Sequence, residues 1–167
     1  YAVELHHLAI GNANQAIRFS DGSQWKVANC AVYDSIRGVS IGRSYGLNPP
    51  VIEHCVLWDL QDSCIQLGNN NALVRNSILS VQSNGYVYTM GERGELVSDY
   101  NGIWLGGHGR IFKKSLDELI RPQPPVIYDT VSRWADVSGQ DRHSYDGDPL
   151  MANSTNCQYY LKSRAGR

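Results

Sequence analysis

One short pattern returns along the chain at a near-constant interval. Leu5-His6-His7-Leu8-Ala9-Ile10 is followed by Val27-Ala28-Asn29-Cys30-Ala31-Val32, Ile52-Glu53-His54-Cys55-Val56-Leu57 and Val74-Arg75-Asn76-Ser77-Ile78-Leu79. Val97-Ser98-Asp99-Tyr100-Asn101 is a weaker fifth copy. The third position is always polar: His7, Asn29, His54, Asn76 and Asp99, at intervals of 22, 25, 22 and 23 residues. A second strand-like run follows each of the first four copies: Ala16–Phe19, Gly38–Ile41, Cys64–Leu67 and Gly85–Tyr88. A short strand cannot bury its apolar face alone, so repeats of this length predict stacked coils. Stacking places Leu8, Cys30, Cys55 and Ser77 in one inward column, and Ile10, Val32, Leu57 and Leu79 in the next. Ile17, Val39, Ile65 and Tyr86 form a third. The polar third residues are expected at the bends, bonding the backbone of the next coil.

This pattern resembles the right-handed parallel β-helix of the pectin-lyase-like superfamily, over roughly residues 3–112. The resemblance is clearest at Val27–Ile41, Ile52–Leu67 and Val74–Tyr88. The predicted fold class is therefore all-β, a right-handed parallel β-helix. The coils are expected over residues 1–112, with an irregular C-terminal extension over 113–167.

In that extension, Ser115-Leu116-Asp117-Glu118 reads as a capping box opening a short helix, Leu116–Ile120. Arg121-Pro122-Gln123-Pro124-Pro125 reads as an extended connector. Trp134 to Ser144, with Gly139-Gln140-Asp141-Arg142-His143-Ser144, and then Asp148-Pro149-Leu150, resemble a segment that follows the coils in large bacterial β-helix proteins. The chain opens on Tyr1-Ala2-Val3 and strand pattern starts at once. It is expected to be an internal piece of a longer polypeptide, so a missing signal peptide does not bear on export.

Composition narrows the function. Lys plus Arg number 15 and Asp plus Glu 16, a net charge of -1, which argues against a general nucleic-acid binder or a polybasic membrane-surface protein. Hydrophobic residues are 42% and charged ones 19%, too apolar for a disordered chain. No apolar run is long enough for a membrane span. The 16 Gly and 12 Asn fit strands joined by tight turns.

The resemblance implies a substrate groove along one sheet, here the one built from the second strand of each copy. Its outward residues are expected to be Arg18, Ser40, Gln66 and Val87, with Asp34, Arg37, Arg43, Asp59, Asp62, Glu92 and Arg93 in nearby loops. Polysaccharide lyases of this fold use a Lys or Arg as base, often with carboxylate-bound Ca²⁺. On that basis Arg18 and Arg37 are the candidate catalytic residues, and Ser40, Gln66, Trp58 and Trp104 the candidate substrate contacts. Asn12, Asp34 and Asp59 share a coil position and are the candidate Ca²⁺ site; equally, Asp and Asn are common turn starters. Arg37 and Asp62 align 25 residues apart and are expected to pair across coils, either at a site or as an exposed ion pair.

Gly106-Gly107-His108-Gly109-Arg110 lacks the strand-to-helix setting of a phosphate loop and reads as a turn. Asp141, His143, Asp146 and Asp148 miss the spacing of a Ca²⁺ loop and read as a structural loop. The four cysteines show no zinc spacing; Cys30 and Cys55 are either small core residues or a cross-coil disulfide. The leading expectation is a secreted or cell-surface β-helix that recognises polysaccharide, with lyase or hydrolase activity as its catalytic form. The alternative is a structural solenoid, such as an adhesin stalk, spacer or filament subunit, self-associating through its coil ends.

Overall fold

The computed structural model describes residues 3–20, 24–42, 48–115, 124–148, 151–153 and 158–161. The expected helix Leu116–Ile120, most of the Arg121–Pro125 connector, Arg43 and Cys157 lie outside them.

The chain winds through five strand triplets. They are β1 (Val3–His6), β2 (Ala9–Gly11) and β3 (Gln15–Phe19); β4 (Trp25–Ala28), β5 (Ala31–Tyr33) and β6 (Arg37–Ile41); β7 (Val51–Glu53), β8 (Val56–Leu60) and β9 (Ser63–Leu67). Next come β10 (Asn71–Arg75), β11 (Ile78–Val81) and β12 (Tyr86–Met90), then β13 (Glu95–Asp99), β14 (Gly102–Leu105) and β15 (Arg110–Lys114). Equivalent strands stack in parallel into three sheets: β1-β4-β7-β10-β13, β2-β5-β8-β11-β14 and β3-β6-β9-β12-β15. This is the expected parallel β-solenoid.

Two corners are set by backbone conformation. His7, Asn29, His54, Asn76 and Tyr100 hold φ between 51° and 58°, and Asn12, Asp34 and Asp59 between 47° and 56°. Asn, Asp and His are enriched in this left-handed region, so the corner chooses the residue type. The first-corner side chains are exposed and do not form the expected cross-coil ladder. The fifth corner residue is Tyr100 rather than Asp99, because Arg75 pairs with Asp99. Coil-to-coil bonding falls to buried neighbours instead. Ser77 Oγ accepts from Cys55 N at 3.2 Å, and Asn101 Oδ1 accepts from Ser77 N at 3.0 Å.

The core runs up the axis through Val27, Ile52 and Val74, Val32, Leu57, Leu79 and Ile103, and Val39, Ile65 and Tyr88, all 1% exposed or less. Tyr88, not Tyr86, completes the third column, because it pairs with Ile65 while Tyr86 pairs with Ser63. Leu8, at the open edge of the first column, is 39% exposed. Cys30, Cys55 and Cys64 are buried free thiols.

Residues 124–148 close the C-terminal end. β16 (Val126–Tyr128) adds antiparallel to β15, and β17 (Tyr145–Asp146) adds to β14. Between them runs α1 (Val131–Ser138), capped by Thr130, whose side chain accepts from Arg133 N, and ended by Gly139 at φ 75°. Its Trp134 stacks on Phe112 at 4.4 Å between ring centroids and meets Tyr88 and Tyr128. Asp141, 2% exposed, accepts from Trp134 Nε1 (3.1 Å), Asn101 Nδ2 (3.1 Å), Ser98 Oγ (3.0 Å) and Ser144 Oγ (2.6 Å). Four donors satisfy the buried carboxylate, which fits the structural reading of this loop. β18 (Met151–Asn153) and β19 (Gln158–Leu161) form a separate antiparallel pair.

Candidate functional site

The outer face of the third sheet carries two columns of polar side chains. Strand register stacks Gln15, Arg37, Ser63, Tyr86 and Arg110 in one, and Arg18, Ser40, Gln66, Thr89 and Lys113 in the other. Over the lower coils they line an open cavity of about 370 Å³ that includes Gln15, Arg18, Arg37, Ser40, Gln66 and Thr89. Four residues singled out in the sequence thus meet in one place: Arg18, Arg37, Ser40 and Gln66.

The expected Val87 is not among them. It is fully buried, at the strand start where Cys64 and Ile111 are also buried, and Thr89 takes the outward place beside Gln66. Thr89 was missed because the sequence pattern sets Val87 opposite Gln66, two residues short of the true register.

Electrostatics separate the two columns. Arg37 Nε donates to Asp62 Oδ2 at 2.6 Å, the predicted cross-coil pair, and Arg110 Nε lies 3.3 Å from Asp129 Oδ1. Arg18 is exposed and has no carboxylate partner among the described residues. Ser40 Oγ donates to Gln66 Oε1 at 3.2 Å, so the Gln66 amide N–H groups are not used in this bond. The Thr89 hydroxyl is buried and finds no hydrogen-bond partner among the described residues. The exposed Arg18 guanidinium beside the Gln66 amide can receive a hydroxyl-bearing anion.

The remaining candidates lie elsewhere. Trp58 and Trp104 are half-buried on β8 and β14 of the second sheet, away from the cavity. Asn12, Asp34 and Asp59 stand one per coil at the second corner. Burial, and then the charge of Asp59, raise the Asp34 pKa. Ca²⁺ takes six to eight oxygens, and three side chains on separate coils fall short of that. Among the described residues no group of three or more His, Cys, Asp or Glu is placed to hold a metal ion. Burial raises the Cys55 thiol to about 11 and pushes Cys64 higher still, so neither is a ready nucleophile. No helix is long and apolar enough to cross a membrane.

No family model, curated protein or solved structure matches the chain.

Proposed function

We propose that the protein is a secreted or cell-surface glycan-recognition solenoid of the pectin-lyase-like kind, whose third sheet binds an acidic polysaccharide. The observation that carries this reading is the cavity that joins Arg18, Arg37, Ser40 and Gln66 over stacked strands. Arg18 offers a planar fork to a carboxylate or sulfate, and the amide and hydroxyl groups beside it suit sugar hydroxyls. Recognition is favoured over turnover by the carboxylate census. Glycoside hydrolysis ordinarily uses two carboxyl groups, whereas the nearby Asp62 is held by Arg37 and no Asp or Glu among the described residues lines the cavity. A lyase would use Arg18 as base with Arg37 neutralising the uronate, and bound Ca²⁺ is not required for the binding reading.

A glycan array followed by titration of any acidic hit tests this. Arg18→Gln is expected to weaken binding roughly tenfold, a typical effect of removing an interfacial charge. Arg133→Gln, on the exposed face of α1, is expected to leave it unchanged. An array without acidic hits, together with no release of unsaturated uronate from acidic polymers, would overturn the proposal.

One observation favours the structural alternative. The edge strands β1, β2 and β3 each have one side without a strand partner among the described residues, and Val3 and Leu8 there are 44% and 39% exposed. Such an edge can pair with a second copy. Sedimentation velocity across a concentration series reads this directly, and a monomer at every concentration rules it out.

A further inference from the structure

The second sheet presents an outer face of a different kind. Strand register stacks Ala9, Ala31, Val56 and Ile78 in one outward column. Gly11, Tyr33 and Trp58 stand in the next, and Trp104 resumes it on β14 beyond a bulge. β2, β5, β11 and β14 contain no Asp, Glu, Lys or Arg, and the one acid of β8, Asp59, stands at the second corner. Gly11 leaves no room for a Cβ beside the Tyr33 ring, so that ring lies over the Gly11 backbone. At the far end β17 adds Tyr145, 61% exposed, next to Gly102. Both borders of the face are polar. His7, Asn29, His54 and Asn76 are exposed along the first corner, and Asn12, Asp34 and Asp59 stand along the second. An open groove of about 440 Å³ joins His7, Asn29 and His54 to Ala9, Ala31 and Val56.

We propose that this face is a second binding surface, for a neutral, extended glycan of β-linked pyranose units lying along the solenoid axis. A surface depleted of charge and enriched in aromatic rings is a recognition surface in composition. Size selects the occupant. Six strands about 4.8 Å apart, with outward columns about 7 Å apart, give a strip of roughly 24 Å by 10 Å. That is far below the ~800 Å² per partner of a stable protein pair, and it suits a single sugar chain. Chemistry selects further. A pyranose with equatorial hydroxyls has two apolar C–H faces and a polar edge. Its faces fit the Tyr and Trp rings, and its hydroxyls fit the His, Asn and Asp side chains on the borders. Each sugar advances the chain by roughly one strand step. Tyr33 and Trp58 therefore meet neighbouring units, and Trp104, about 10 Å from Trp58, meets one two units further on. An acidic chain would bring its carboxylates to strands that hold no cation, beside Asp34 and Asp59, and is repelled. This surface shares no residue with the Arg18 cavity, so the two faces bind different glycans.

The test uses cellohexaose and chitohexaose as probes and hexagalacturonate as the acidic control, on the 167-residue chain. Of the four tryptophans, Trp25 and Trp134 are 4% exposed, so Trp58 and Trp104 are the ones that added acrylamide quenches. A neutral hexasaccharide is expected to shield them, and hexagalacturonate to leave them open. By calorimetry the neutral hexasaccharide is expected to bind about tenfold tighter than its disaccharide, because it reaches more of the rings. Ala31→Glu sets a carboxylate in the apolar column and is expected to weaken the hexasaccharide by about tenfold or more. Trp104→Phe keeps a ring and the fold, and is expected to weaken it roughly two- to fivefold. Arg133→Gln is expected to change nothing. No binding of either neutral hexasaccharide overturns the proposal, and so does shielding of the tryptophans by hexagalacturonate. Undiminished binding by folded Ala31→Glu and Trp104→Phe overturns it as well. Concentration-dependent dimers that Ala31→Glu dissolves would make the face an interface between copies and overturn the glycan. Neutral binding without acidic binding sinks the Arg18 cavity alone, and acidic binding without neutral binding sinks this surface alone.

Discussion

At His7, Asn29, His54 and Asn76 the backbone decides the residue. Each holds a left-handed corner with its side chain in water. A β-branched residue is strained there by about 1–2 kcal/mol, so His54→Val is expected to lower stability by about that amount in urea unfolding, and His54→Asn to leave it unchanged. Glu53 is the most strongly perturbed carboxylate of the first sheet. Hydrogen bonds from Lys26 and Arg75, 2.8 Å away on the strands either side, outweigh its partial burial and hold its pKa at about 2 against an ordinary 4.5. A depressed carboxylate stabilises the fold above its unfolded pKa. That contribution is expected to fade as pH falls from about 4.5 towards 2, and thermal melts across this range should show a shallower pH dependence for Glu53→Gln. The polar third position was visible in the sequence, yet its purpose was not. A polar residue at fixed spacing reads the same whether it bonds a neighbour or tolerates a positive φ.

At the scale of elements, the strand repeat was legible from its intervals, and the loss of period after residue 112 was too. What the pattern hid was register. Gly85-Tyr86-Val87-Tyr88 aligns by eye with Cys64-Ile65-Gln66-Leu67, but Tyr86 pairs with Ser63. The slip of two keeps the alternation, so periodicity alone does not reveal it. The C-terminal extension also proved more ordered than its aperiodic sequence suggests. α1 is short, and the fixed points around it, Trp134 and Asp141, act through contacts with distant coils. Trp134→Ala removes the ring that seals Phe112 and Tyr88 and is expected to cost about 3–5 kcal/mol in chemical unfolding. Close packing constrains the coils as strongly. A Cβ on Gly38 would lie 2.5 Å from the Cys64 carbonyl oxygen, so Gly38→Ala is expected to destabilise by about 1–3 kcal/mol.

For the whole molecule, parallel stacking turns positions 22 to 26 residues apart into adjacent places on one face. Arg18, Ser40 and Gln66 could be found in the sequence because the second strands of their three copies align directly. Thr89 escaped because the fourth second strand aligns two residues early by pattern, and Trp58 and Trp104 were drawn in by residue type although they lie on another sheet. The solenoid gives the third sheet a rigid, evenly stepped outer surface, a suitable base for preorganised recognition. The most direct test is to titrate isotope-labelled protein with an acidic oligosaccharide and follow backbone amide shifts. The account predicts perturbations concentrated at Arg18, Ser40, Gln66 and Thr89 on the third sheet. Shifts centred on the second sheet around Trp58 and Trp104, or none at saturating oligosaccharide, would contradict it.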